Sequence, residues 1–190
     1  MNQVAAEQAM LRVAETIERA LDDEIQRVDN MDDDELAELR KRRLQQVKEV
    51  QQRRDAWLKR GHGGYGEITD TKHFYEVVKG SERVVVHFMR RSTSRCSIIE
   101  RHLRTIAQTH FETRFAYVDV ERIPVLAEQF NILMLPTLML IEGQKTFHSI
   151  IGFDEFGGVD DFPTSHVVEM LAHYGMINEN GMFAADQSTD

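Results

Sequence analysis

The chain has 190 residues, 42% of them hydrophobic, with a formal net charge of −9 and a pI of about 5.4. That length holds one ordinary domain with an appendage, and the acidity argues against non-specific nucleic-acid binding, because phosphates would be repelled over most of the surface. One cysteine excludes an intramolecular disulfide and points to a reducing compartment. The first 24 residues lack the basic flank and apolar core of a secretory signal and carry acids that a mitochondrial presequence avoids. No window approaches 18 uninterrupted apolar residues, so the expectation is no membrane span and a cytoplasmic location, with the nucleus open as well.

Residues 1–60 contain neither Gly nor Pro, and Trp57 is their only aromatic. Met10, Ala14, Ile17, Leu21, Ile25 and Val28 recur every three or four residues, one face of a helix. A second series, Leu36, Leu39, Leu44, Val47, Val50, Trp57 and Leu58, is set among good helix formers. The acidic run Asp29–Glu35 suits the first turn of a new helix, or equally the polar face of one continuous helix. A helix over 32–60 would be about 43 Å long, more than a small domain can bury, so part of it must project or pair.

This charged helical arm has a net charge of −2 against −7 for the remainder, with its basic groups clustered at Arg40, Lys41, Arg42 and Arg43 and again near Arg60. These clusters are either a solvated helix face or a partner-binding stripe. The apolar repeat also admits weak self-association through the N-terminal helix, though Glu18, Glu24 and Arg43 interrupt a long regular zipper.

Four glycines in Gly61–Gly66 predict a hinge or tight corner. From Glu67 the pattern alternates. A short extended piece is followed by a Thr69 or Asp70 cap, a helix and a Gly80 stop. Arg83–Met89 is a buried strand by its β-branched run, and 93–110 is a helix with Cys96, Ile99, Leu103 and Ile106 on one face. A strand at 114–120 leads to a short helix opening on Pro124. Two strands follow with a turn at Glu142–Lys145, then a helix from Thr164. The order is β-α-β-α-β-α-β-β-α, and residues 176–190 lose all period, as a fraying tail does.

That order, with "LPT" at Leu135–Thr137, resembles a thioredoxin-like α/β fold over residues 67–175, preceded by the long helical arm. The resemblance implies a cis-proline turn at Pro136 facing the loop Thr93, Ser94, Arg95 and Cys96. Together with the charged N-terminus, "HFMRRSTSRCSIIERHL", "YVDVERIPVLAEQFNI" and "GFDEFGGVDDFPT", the pattern is similar to the phosducin-like family along nearly the whole chain to Gly175. Members carry a longer basic tail, so no role of that tail transfers. Membership implies a protein that binds the chaperonin CCT and modulates folding of its clients tubulin and actin.

The loop residues point the same way. A dithiol enzyme needs an exposed thiolate at the helix start and a second thiol one turn later. Thr93 takes the first position, where it can cap the helix but cannot act as a thiolate. Cys96 keeps the inward position, which suits a small buried hydrophobe and leaves a thiol-dependent reductase or redox sensor as the alternative. His87 stands where thioredoxins place a buried Asp, Met89 and Ser92 where they have tryptophans, and Arg95 where the loop proline lies.

Arg90, Arg91 and Arg95 crowd one loop of an acidic domain. They either attract a carboxylate-rich partner or pair with nearby acids such as Glu100 or Asp119. The eight histidines show no zinc-ligand spacing, no nucleotide or acyl-transfer motif occurs, and neither a metal nor another cofactor is expected. The acids between Asp154 and Phe162 lack an EF-hand ligand ladder and suggest a solvated surface loop. The expected function is that of a non-enzymatic folding cofactor.

Overall fold

A computed structural model describes Gln26 and residues 32–178. The chain divides into two compact units, 1–52 and 53–190. The apolar series from Met10 to Val28 and the start of the acidic run at Asp29 lie outside the described residues.

Helix α1 spans Asp33–Lys59 and has no buried residue. The acidic run does begin it: Asp32 accepts the Glu35 N–H through Oδ1 at 2.8 Å, and Asp33, Asp34 and Glu35 fill the first turn.

The second unit is built on a five-stranded sheet in the order β1-β3-β2-β4-β5. Its strands are β1 (Tyr65–Glu67), β2 (Arg83–Met89), β3 (Arg114–Asp119), β4 (Thr137–Glu142) and β5 (Lys145–Ile151). β1, β3 and β2 run parallel, and β4 and β5 are antiparallel additions. The β4–β5 turn is tight because Gly143 and Gln144 both hold positive φ, 55° and 68°, whose twist matches that of the strands.

Alternation along the strands sends side chains to two cores. Val85, Phe115, Leu138 and Leu140 meet helices α3 (Ser94–Ala107) and α5 (Thr164–His173). Val84, Val86, Phe88 and Met139 meet α2 (Thr71–Gly80) and α4 (Pro124–Gln129). Helix α2 starts where expected, Asp70 accepting the His73 N–H at 2.8 Å.

Three expectations are corrected. Composition placed the boundary after Arg60 with a hinge or tight corner at Gly61–Gly66, but the second compact unit begins at Arg53 and the glycine segment is a packed corner. Arg54 lies over the Phe111 ring at 4.8 Å, Trp57 stacks on buried His62, and Tyr65 and Gly66 already pair with Phe115 and Ala116. Nor does the domain end at Gly175: Met176 and Ile177 are buried, and the Asn178 N–H donates to Glu112 at 3.0 Å. The segment after β5 is not merely solvated. Asp154, Asp160 and Asp161 are exposed, while Phe153, Phe156 and Phe162 sink into the α3/α5 core, the Phe153–Phe162 and Phe156–Phe162 centroids 5.1 and 5.2 Å apart.

Candidate functional site

The loop between β2 and α3 carries the predicted site. Strand β2 is buried along six of its seven residues and delivers Met89 to the domain edge. Arg90, Arg91 and Ser92 follow as an exposed turn, and α3 begins at Ser94. Thr93 occupies the N-cap position in extended backbone (φ −95°, ψ 113°), yet its side chain makes no capping hydrogen bond. The predicted exchange of thiol chemistry for helix capping is corrected to that extent. The Thr93 carbonyl accepts the Cys96 N–H at 3.1 Å.

Cys96 lies fully buried on the inner face of α3 with Ile99 and Leu103. Burial pushes its thiol above the ordinary range, against hydrogen bonds from the Arg90 backbone and the Thr93 side chain that pull the other way. A thiol so placed is protonated at neutral pH, the opposite of what an attacking thiolate needs. Beneath it, His87 is completely buried, its Nδ1 2.6 Å from the Tyr65 phenol oxygen. Burial drops the imidazole to a pKa of about 3, so the position of the thioredoxin carboxylate holds a neutral ring.

The Leu135–Pro136 bond is cis, as the resemblance implied. Just before it, Leu133 is 83% and Met134 59% exposed. Leu133 borders a groove of about 480 Å³ whose walls include Arg90, Pro124 and Ile132. Sequence reasoning missed this apolar rim. Its signal was a pair of large apolar residues in a loop between helix and strand.

The loop arginines are not a free cationic cluster. Arg90 meets Glu121 at 3.2 Å, Arg91 meets Asp119 at 3.5 Å and Arg95 meets Asp160 at 2.8 Å, with the Arg95 guanidinium also 5.1 Å from the Phe153 ring centroid. Glu100 is engaged by Arg104. Both the partner Asp160 and the ring Phe153 come from the segment after β5, which thereby braces the loop. In the first unit, Arg40, Lys41, Arg42 and Arg43 are all exposed on α1, with Arg42 3.5 Å from Glu38. Among the described residues, no group of three or more metal-ligating side chains converges, and no helix is long and apolar enough to cross a membrane.

A thioredoxin fold whose first loop position is a threonine defines the class of protein. Comparison agrees: residues 66–162 match the Thioredoxin family model. A thioredoxin from Plasmodium falciparum superposes with a TM-score of 0.50 at 20% identity over 58% of this chain and 98% of that one. One from Halobacterium salinarum gives 0.51 at 16% identity, covering 59% and 91%.

Within that class the chain belongs to the phosducin-like family of thioredoxin-domain proteins. It is 41% identical to human thioredoxin domain-containing protein 9, over 92% of this chain and 77% of the relative. It is 39% identical to Drosophila melanogaster phosducin-like protein 3, covering 92% and 81%. An Arabidopsis thaliana homolog of thioredoxin domain-containing protein 9 is 42% identical, covering 92% and 82%.

Proposed function

We propose that the chain is a non-catalytic, cytoplasmic co-chaperone that binds the chaperonin CCT and modulates the folding of tubulin and actin. Family membership supports the reading, and one observation carries it. The position that needs an attacking thiolate holds Thr93, while the only thiol of the chain is buried and raised in pKa. What the loop keeps is a braced, charged surface beside the exposed Leu133 and Met134, suited to holding a protein rather than reducing one.

The exposed basic run Arg40–Arg43 on α1 offers a second contact of the kind that steers association. Co-sedimentation of the full chain with purified chaperonin tests the proposal. Saturable binding is expected, equal for wild type and Cys96→Ser, and weaker and less salt-sensitive when Arg40, Lys41, Arg42 and Arg43 are all changed to Glu. Absence of binding, or binding lost with Cys96 alone, would reject it, the latter in favour of thiol chemistry.

A further inference from the structure

Eight arginines follow Gly61 in the chain. Six have a carboxylate partner: Arg83 with Glu142, Arg90 with Glu121, Arg91 with Asp119, Arg95 with Asp160, Arg104 with Glu100, and Arg122 with Glu67. Two have no such partner among the described residues. Arg101 is exposed on α3, where water satisfies it. Arg114 is only part-exposed, and its Nε is buried without a hydrogen-bond partner.

The Arg114 guanidinium lies against the glycine turn that ends α1. A Cβ built on Gly61 or on Gly66 would stand 2.9 Å from it, so the guanidinium is seated directly against the backbone of both glycines. Burial with no opposing carboxylate lowers its hold on the proton.

Two further guanidinium groups share this corner. Arg60 is exposed beside Gly61. Arg54 rests on the Phe111 ring, its Nε likewise buried and unpartnered. The charges of Arg114 and Arg60 both disfavour the protonated form of His62. Glu112 also bears on that ring; its Oε1 lies 3.1 Å from His110 Nδ1 and accepts from the Asn178 N–H, while its Oε2 is buried without a hydrogen-bond partner. Among the described residues, three guanidinium groups at this corner outnumber the Glu112 carboxylate, an excess of partly buried positive charge that a bound counter-ion would offset.

We propose that Arg114, Arg60 and Arg54 form a binding site for an oxyanion, a carboxylate or a phosphate group, at the Gly61–Gly64 turn. Planar guanidinium groups suit such ligands because they donate paired hydrogen bonds to two oxygens at once. The site does not depend on the chaperonin reading.

Trp57 is the only tryptophan and stacks on His62 with ring centroids 6.3 Å apart, so its emission reports on the corner. The full chain is titrated at low salt with inorganic phosphate in one arm and a short poly-glutamate peptide in the other, with calorimetry in parallel. A saturable response is expected in at least one arm. Tighter saturation by phosphate assigns a phosphate-bearing ligand, and tighter saturation by the peptide assigns a carboxylate. Arg114→Gln should weaken binding about tenfold or more and Arg60→Gln about threefold, while Arg101→Gln leaves it unchanged. Arg60 is exposed, so its substitution spares the fold even if Arg114→Gln does not. No saturable response in either arm overturns the proposal. So does an affinity indifferent to Arg60→Gln and Arg114→Gln, or one lost equally in Arg101→Gln.

Discussion

Helices α1 and α3 are written in similar sequence and end in opposite environments. Both place apolar residues three or four apart among Arg and Glu. α3 buries six of its fourteen residues, Cys96, Ile99, His102, Leu103, Ile106 and Ala107, whereas α1 buries none of its 27. α3 has a sheet face to cover, formed by Val85, Phe115, Leu138 and Leu140. On α1, Leu44 and Val47 remain 70% and 66% exposed. Helical periodicity therefore says that a stripe exists, and only a facing surface decides whether it becomes core.

The comparison is tested most severely where α3 is held. Phe153 is 1% exposed and packs edge-on to Phe162 in the core beneath α3, so Phe153→Ala should cost about 3 to 5 kcal/mol. Leu103→Ala should cost about 2 to 5 kcal/mol in a urea melt of the full chain. Losses under 1 kcal/mol would mean that α3 is no better packed than α1.

Acid should act next. The carbonyl of Phe111 can only accept, so His62 donates through Nδ1 at 2.7 Å, leaving Nε2 to accept the Ser81 hydroxyl at 2.7 Å. Burial holds this neutral ring down to a pKa of about 4 and His87 to about 3, from an ordinary 6.5. Both folded values lie below the unfolded one, so the unfolded chain binds the extra protons. The stability they contribute is fully present above pH 6.5, falls as pH drops below that, and levels off beneath the folded values. The slope should approach about 1.4 kcal/mol per pH unit for each ring. Denaturant midpoints measured from pH 7 to 4.5 check it, and Ser81→Ala should flatten part of the dependence.

Capping gives a finer contrast. Asp70→Ala removes a real cap from α2 and should cost about 1 kcal/mol. Thr93→Ala removes none from α3 and should cost less. Smallest of all, Leu44→Ala and Val47→Ala should leave the melt within about 0.5 kcal/mol, since neither side chain is buried. A larger loss would show that α1 contributes to the folded core after all.

Local signals made much of this legible. Strand β2 was readable from its β-branched run, α4 from Pro124, the β4–β5 turn from Gly143, and the inward side of α3 from Cys96, Ile99, Leu103 and Ile106. What escaped depends on residues far apart in sequence. Whether the glycine turn was a hinge or a tight corner stayed open because Phe111 and Arg114, which seat it, lie about fifty positions away. Three phenylalanines after β5 were hidden among acids, and of the acids that pair with the arginine loop only Asp119 was foreseen, whereas Glu121 and Asp160 were not. Thr93 misled in another way, since backbone position and side-chain hydrogen bond are separate facts at a helix start.

Insulin reduction driven by dithiothreitol tests most directly the claim that the thioredoxin loop here has become a holding surface. With Thr93 at the outer position and Cys96 buried, the full chain should precipitate insulin no faster than dithiothreitol alone, and Cys96→Ser should change nothing. Turnover above that background, abolished by Cys96→Ser, would contradict the claim.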